Sequence, residues 1–464
     1  MQDKPTITIV GAGLAGCEAA YQASRLGVRV RLFEMKPKKK SPAHHSDKLA
    51  ELVCSNSLRS NSTSNAVGLL KAELSSLGSL IMEAAYQNQV SAGTALAVDR
   101  EKFSSYITEK IKSDENIELI EKEVTEMPDG ITVIATGPLT SDALSDYIER
   151  NIAPGQLHFF DAAAPIVDAS TINYDVAFFA SRYGHGDACY VNCPMNEEEY
   201  LAFYEALISA QSAHLHDFEN AENDDGSVSA TDAEGHLKKL SKQVFEGCMP
   251  VEVMASRGVD TLLFGPLKPV GLPLPSTGKD AYAVVQLRAE NEEKTMYNLV
   301  GFQTHLTFPE QKRVFRMIPG LENAEFLRYG VMHRNTFINS PGILESDYSL
   351  IANRDKFFAG QMTGVEGYIE STASGFVAGV SAARRALGYD DYRFPASTMI
   401  GAMAAYIQNG SNVAFQPMNA NYGIIAPLGK KVRGGKLGRN EALAERSLEE
   451  IKEIKAFLFE NKDE

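Results

Sequence analysis

Apolar and polar positions divide the chain into recognisable segments from its first residues. Thr6 to Val10 is β-branched and apolar, the pattern of a strand, and it breaks abruptly at Gly11-Ala12-Gly13-Leu14-Ala15-Gly16. From Cys17 to Leu26 the apolar positions take a helical period, which Gly27 stops. Val28 to Phe33 reads as a second strand closed by Glu34, and the polar, Ser-, Asn- and Lys-rich stretch Lys36 to Asn65 reads as mostly loop. Apolar residues at 66, 69, 70, 74, 77, 80 and 81 predict one helix, capped by Ser64 or Asn65. Ile131 to Ala135 is a buried strand ending in Thr136-Gly137.

Between about 141 and 325 the texture changes to mixed α and β with many aromatics, interrupted by the acidic, low-complexity insert Asp217 to Glu234, which reads as a surface loop. Lys356 to Ala359 is another buried strand, followed by the glycine-rich turn Gly360 to Gly367 and a helix from about Glu370 to Leu387 rich in small residues. A charged amphipathic helix from about Glu441 to Asn461 ends the chain. No internal repeat is visible.

The first glycine run has the setting that gives G-x-G-x-x-G its meaning: a strand before, a helix after, and an acid, Glu34, at about the 20-residue distance expected. Gly11 permits the tight turn, Gly13 lets backbone approach a pyrophosphate, and Gly16 lets helix and strand pack closely. The helix N-terminus offers its unpaired N–H groups to the phosphates, and Glu34 can accept from ribose hydroxyls. Two further features favour FAD over NAD: the strand ending Ala135-Thr136-Gly137, and Phe357-Phe358-Ala359-Gly360 with its turn and helix. Both resemble the glutathione-reductase type of FAD domain. That type usually carries Asp after this last glycine, where this chain has Gln361. The fold expected is therefore α/β: a Rossmann-like FAD-binding domain with an inserted α+β domain. Its first part is 1–140, the insertion 141–325, and its second part, with the C-terminal helix, 326–464. The cofactor contacts expected are Gly11, Ala12, Gly13, Leu14, Ala15, Gly16, Glu34, Gly137, Gly360, Gln361, Gly364, Gly367 and Tyr368.

Composition narrows the setting. Of 464 residues 44% are hydrophobic, enough for a sizeable core, yet no run of about 20 apolar residues exists to span a membrane. The run at Ile7 to Val10 is too short for a signal peptide and has no basic lead-in. Cysteines at 17, 54, 189, 193 and 248 are odd in number and lack framework spacing, which fits a reducing cytoplasm. A net charge of −15 taken alone argues against a nucleic-acid binder, so local patches matter more than the sum.

The motifs together resemble the folate- and FAD-dependent tRNA uridine-5-methyltransferase family over nearly the whole chain. They are the Gly11 to Gly16 turn, Ala50-Glu-Leu-Val-Cys54-Ser-Asn-Ser-Leu58, Ala97-Val-Asp-Arg100, and Val133 to Thr140. Phe245-Glu-Gly-Cys248-Met-Pro-Val-Glu252, Gly301 to Leu306, Arg328 to Asn335, and Phe358 to Tyr368 complete the set. The two cysteine motifs are the distinctive ones. The insert at 217–234 is longer than the family leads one to expect, and Cys193 is a local variation.

The resemblance implies that NAD(P)H reduces FAD and that 5,10-methylenetetrahydrofolate supplies a one-carbon unit. The flavin passes that unit to carbon 5 of a uridine in the tRNA T-loop. Carbon 5 of uracil is a poor nucleophile. A thiolate added at carbon 6 makes an enolate able to attack, and a base must later take the carbon-5 proton. The family uses two cysteines for these steps, here Cys54 and Cys248. The reading favours Cys248 as nucleophile and Cys54 as base, the reverse order being open. Either thiol would act from a pKa below the ordinary value of about 8.5. The uridine must be extruded from the RNA fold, so the insertion is expected to clamp it beside the flavin.

Other residues carry blander readings. Cys17 is expected to be a small buried hydrophobe. Cys189 and Cys193, with His185 nearby, lack a second pair at ligand spacing, so no metal is expected. His305, His333 and Tyr368 lie in matched motifs and are candidates for the flavin or folate pocket. Two basic runs, Lys36, Lys38, Lys39 and Lys40, and Lys430, Lys431, Arg433, Lys436 and Arg439, are candidate RNA phosphate contacts. Competing functions are the same chemistry on ribosomal RNA, wobble-uridine modification by a related FAD enzyme, an NAD(P)H–disulfide oxidoreductase, and a non-enzymatic flavin carrier. The disulfide enzyme would need a redox pair such as C-x-x-C or C-x-x-x-x-C near the flavin, which the chain lacks.

Overall fold

The computed structural model describes residues 4–41, 43–154, 157–162, 164–184, 188–212, 249–330, 332–409, 415, 417–430 and 432–460, with backbone alone at 157–162, 332–336 and 460. Cys248, His185, Lys431, the acidic insert at 217–234 and the side chain of His333 lie outside this description.

Strand β1 (Thr6–Val10), helix α1 (Leu14–Arg25) and strand β2 (Arg29–Glu34) form the expected opening unit. β1 and β2 pair in parallel, Val10 opposite Phe33, so the glycine turn leaves the sheet at its carboxyl edge. Three more parallel strands complete this sheet, in the order Lys356–Phe358, Thr132–Ile134, β1, β2, Ile117–Glu121. The two strands read at 131–135 and 356–359 are thus neighbours despite their distance in sequence. Parallel strands covered by helices on both faces are apolar throughout, and Ile7, Ile9, Val133, Phe357 and Phe358 are all buried.

The helix Tyr368–Ala386 packs along α1, and its small residues explain how closely. A Cβ on Gly379 would stand 2.5 Å from the Cα of Ala19, and one on Gly375 would overlap the backbone of Ala15. Glycine keeps the two helices at a distance that no larger residue permits.

A second, six-stranded antiparallel sheet runs in the order Phe178–Ala180, Tyr190–Met195, Ala283–Ala289, Met296–Leu299, Ile166–Asp168, Phe326–Arg328. Its own apolar cluster includes Val191, Tyr200, Phe203, Leu287, Phe302 and Phe315. An antiparallel ribbon, Leu157–Ala162 with Met332–Phe337, runs between the two sheets in sequence. The helix Asp142–Asn151 places Leu144 and Ile148 in the first core, not the second.

Several local expectations change. The single helix read across 66–81 is two, Ala66–Leu77 and Leu80–Gln87. Gly78 adopts a left-handed conformation (φ 81°) that ends the first, and Ser79 caps the second by accepting from Met82 N. The loop read across 36–65 contains the short strand Ser57–Ser60. The last helix begins earlier, at Gly435, and runs regularly to Lys455. The helix Met399–Asn409 has no counterpart among the sequence expectations.

Candidate active site

The glycine turn has the geometry that a dinucleotide requires. Gly11 lies at φ 95° with its N–H donated to Phe33 O (2.7 Å), and an added Cβ would stand 2.7 Å from Ala135 O. Gly16 leaves no room for a Cβ against the carbonyl of Gly11. At Gly13 nothing lies within 4 Å of the Cβ position, and α1 has no side-chain cap there. The first turn of α1 therefore presents uncapped N–H groups to an open space, the setting an anionic pyrophosphate fills.

Beside it is a cleft lined among others by Gly11, Gly13, Glu34, Lys36, His44 and Thr136. Glu34 forms part of the wall: its carboxylate accepts from Ala12 N (2.9 Å) and Lys36 N (3.0 Å). Each oxygen keeps a second lone pair for a hydroxyl. His44 is held below its ordinary pKa by burial and then by the Lys36 ammonium, so it is neutral at pH 7.

Of the other expected contacts, Leu14 and Ala15 open α1 and are buried. Gly137, at φ 70°, follows the strand beside β1. Gly360, Gly364 and Gly367 all have positive φ and carry the chain from the edge strand into the helix Tyr368–Ala386. Gly360 lies against Ala15, which brings the two glycine turns together. The amide of Gln361 donates to Glu366 (2.5 Å). These residues fit FAD of the type inferred from the sequence.

Cys54 lies in the loop that leaves this turn: Ala50, at φ 50°, donates its N–H to Ala12 O (2.9 Å). Nearly every polar group of the next residues is engaged. Tyr368 Oη accepts from Cys54 N (2.9 Å) and Ser55 N (3.2 Å). Arg100 donates to Leu52 O, to Cys54 O (3.1 Å) and to Glu290. Arg328 donates to Val53 O (2.7 Å). Arg288 donates to Asn56 Oδ1 (2.9 Å) and Ser55 Oγ (2.7 Å), while Asn56 Nδ2 donates to Val98 O and Ala289 O. Cys54 itself is half-buried. Burial and then the adjacent Cys54 hold the Tyr368 phenol well above its ordinary pKa, so it stays protonated.

Sequence reasoning singles out Cys54 and Tyr368 but misses Asn56, Arg288 and Glu290. Arg100 and Arg328 lie in matched motifs with no role assigned. A buried Asn among polar loop residues is the one available signal.

The segment after Cys248 is anchored to another matched motif. Val251 N donates to Gln303 O (2.7 Å), and buried Glu252 accepts from His305 N (2.6 Å) and Thr304 Oγ1 (2.9 Å). His305 is thus a buried neighbour of this segment. Burial pushes the Glu252 carboxyl up to about 7 from an ordinary 4.5. A carboxyl raised in the folded state keeps a proton that the unfolded chain has released. Its effect is a decline in stability as pH rises from about 4.5 to about 7, levelling off above. The change is on the order of 3 kcal/mol. Glu252→Gln, which can still meet both partners, is expected to flatten that decline in urea titrations across this range. An unchanged slope would assign it to other groups.

The remaining cysteines behave as small hydrophobes. Cys17 is fully buried, its thiol donating to Ala12 O (3.3 Å), and burial pushes its pKa far up. Cys193 is likewise buried and pushed up to about 12. Cys189 is buried near Ser181.

In the first basic run Lys36 is withdrawn from the surface, while Lys38, Lys39 and Lys40 are exposed. Lys36 is buried in the cleft, donating to Lys48 O (2.5 Å) and lying 3.6 Å from Glu51. Lys38 donates to Glu121 O, and Lys39 and Lys40 pair with Glu123 and Asp47 at 2.7 Å. The loop after β2 turns only Lys36 inward. In the second run Lys430, Arg433 and Lys436 are exposed at the start of the last long helix, and Arg439 donates to Tyr422 O (3.1 Å). No described helix is long and apolar enough to cross a membrane.

Residues 6–390 match the model of the family described as glucose inhibited division protein A. The methylenetetrahydrofolate–tRNA-(uracil-5-)-methyltransferase TrmFO of Acetivibrio thermocellus is 57% identical over 448 residues, covering 96% of this chain and 98% of that protein. The chain belongs to the TrmFO family. The TrmFO of Listeria monocytogenes is 54% identical over 450 residues, covering 97% of this chain and 98% of its own. Among solved structures, GidA of Aquifex aeolicus superposes with a TM-score of 0.67 at 17% identity, covering 99% of this chain and 78% of that one. That likeness establishes the α/β fold shared by TrmFO and GidA.

Proposed function

We infer that this protein is a folate- and FAD-dependent tRNA uridine-5-methyltransferase, with 5,10-methylenetetrahydrofolate as one-carbon donor. We place its target in the T-loop, its electrons in NAD(P)H and its action in the cytoplasm. The observation that carries the site reading is the setting of Cys54: a half-buried thiol, in a loop stitched to the glycine turn, among the guanidinium groups of Arg100, Arg288 and Arg328.

FAD, when bound along Gly11, Gly13, Glu34, Gly137 and the Gly360 to Gly367 turn, supplies the redox chemistry that converts the one-carbon unit to a methyl group. The protein's own residues have three tasks. The thiolate of Cys248 adds to carbon 6 of the extruded uracil, which makes carbon 5 nucleophilic. Once carbon 5 has bonded to the one-carbon unit, Cys54 removes the proton that carbon 5 still carries, and departure of the Cys248 sulfur from carbon 6 restores the ring. Tyr368 and the arginines keep Cys54 at the position this proton transfer needs. In this reading the parallel-sheet domain, which takes in the helix Asp142–Asn151 beyond the expected boundary at 140, holds the cofactor, and the antiparallel sheet, which extends past 325 to Phe326–Arg328, holds the RNA against it.

The test is direct. Purified protein with methylenetetrahydrofolate, NAD(P)H and unmodified tRNA transcript is expected to form 5-methyluridine, seen by mass spectrometry and abolished when folate is omitted. Absence of product with bound flavin present would overturn the reading. For RNA binding, reversal of Arg433 or Lys436 to Glu is expected to weaken tRNA affinity and to reduce the salt slope by about one for each phosphate that the variant no longer neutralises. An unchanged slope would remove this patch from the interface.

A further inference from the structure

The second sheet does more than hold RNA if the contacts around Cys54 are followed to their origins. Arg100 opens the helix Arg100–Ser113 and belongs to the cofactor-binding side. Arg288 lies on the strand Ala283–Ala289 and Arg328 ends the strand Phe326–Arg328, both in the antiparallel sheet. Two of the guanidinium groups fixing residues 53–56 therefore come from the other sheet. Arg288 is 7% exposed and donates to the neutral Asn56 Oδ1 and Ser55 Oγ, with the Glu290 carboxylate and Tyr190 also acting on it. A nearly buried cation bonded to neutral acceptors is costly, and burial holds Arg288 below its ordinary pKa. Such a cost is retained where the charge serves a neighbour.

The charged and titratable groups facing Cys54 can be named from each side. Arg100, Arg288 and Arg328 all interact electrostatically with it, as does Tyr368. Glu290 is paired with Arg100. Glu51 accepts from His45 N and Ser46 N and lies 3.6 Å from Lys36. Glu290 also acts on Arg288 and Glu51 on Arg328, while both arginines donate their hydrogen bonds to uncharged groups of the Cys54 loop.

We propose that Arg288, with Arg328, is a positioning residue through which the antiparallel sheet orients Cys54 and holds it in its thiolate form. It rests on the role assigned to Cys54, but it does not require the methylation reading to be tested. Docking of this sheet against the Cys54 loop is then a condition for a reactive thiol, so the enzyme couples its RNA-holding half to its chemistry through guanidinium groups and Asn56.

The experiment measures iodoacetamide alkylation of Cys54 in the flavin-loaded protein as a function of pH, with labelling at Cys54 read by peptide mass spectrometry. Arg288→Met is expected to raise the pH midpoint of alkylation by about one unit. Arg288→Lys, which keeps charge without the fork that meets Asn56 and Ser55, is expected to restore most of the midpoint while methyl transfer stays impaired. If Arg288→Met does not fold, Arg328→Met, at a half-buried position on another strand, is expected to shift the midpoint in the same direction. A folded, flavin-bound Arg288→Met or Arg328→Met with the wild-type midpoint would overturn the proposal. A shifted midpoint in the variants, with no 5-methyluridine made by the flavin-loaded wild type, would leave it standing and overturn the methylation reading instead.

Discussion

Cys54→Ala and Cys248→Ala are each expected to bind flavin as the wild type does and to lose methyl transfer by roughly a thousandfold or more. The physical reason is the low intrinsic reactivity of uracil carbon 5. Without a sulfur on carbon 6 no enolate forms, and without a base the methylated adduct cannot collapse to product. The two substitutions are expected to differ in what accumulates. Removing the nucleophile leaves unreacted RNA, whereas removing the base leaves RNA joined to the protein through the remaining cysteine. Trapping of such an adduct on gels, with flavin absorbance confirming cofactor content, assigns the roles. Wild-type turnover in either variant removes that cysteine from the chemistry. Cys54 tolerates the change structurally because its loop is held by backbone groups, which alanine retains.

The second large effect separates glycines that build the fold from those that admit the cofactor. Gly375→Ala is expected to destabilise the protein by about 3 kcal/mol, because the added methyl overlaps the backbone of Ala15 and forces α1 away from the helix Tyr368–Ala386. Gly13→Ala is expected to leave the apoprotein as stable as wild type, since Gly13 has an ordinary φ of −75° and open space at its Cβ position. Its methyl would nevertheless occupy the approach of the pyrophosphate, so FAD affinity is expected to fall tenfold or more, about 1.4 kcal/mol. Denaturant titration of apoprotein and flavin titration distinguish the cases. Equal destabilisation of both variants would show that Gly13 also is needed for packing.

The elements legible in the sequence are those whose signals are local. β1, the glycine turn, α1 and β2 carry periods of two and 3.6 with a break between them. The strand Lys356–Phe358 and the small-residue helix after it are equally plain. The helix Met399–Asn409 escapes because its residues are apolar almost all round, which erases periodicity. Its N-terminus has a local cap, Thr398 Oγ1 accepting from Gly401 N (3.1 Å), but two more of its N–H groups depend on a distant residue: Glu73 accepts from Met399 N (2.7 Å) and Ile400 N (2.8 Å). Lys36 misleads for a related reason. Its lysine neighbours suggest a solvated run, whereas the turn after β2 directs this one inward to Glu51. In the active site the glycine turn is legible because its spacing marks it, and Cys54 because its motif resembles that of a known family. The contact of Arg288 with Asn56 is not, since nothing local to either residue announces its partner.

The pairing of Lys356–Phe358 with Thr132–Ile134 has a consequence for biosynthesis. While the ribosome makes the intervening residues, the parallel sheet has four strands and a bare hydrogen-bonding edge beside Thr132–Ile134. At ordinary elongation rates that interval lasts on the order of ten to forty seconds. A nascent chain with an exposed apolar edge for so long is a substrate for holding chaperones and a hazard for strand-to-strand aggregation. Completion waits for Lys356–Phe358, so fragments that stop short of it are expected to be less soluble than the chain that includes it.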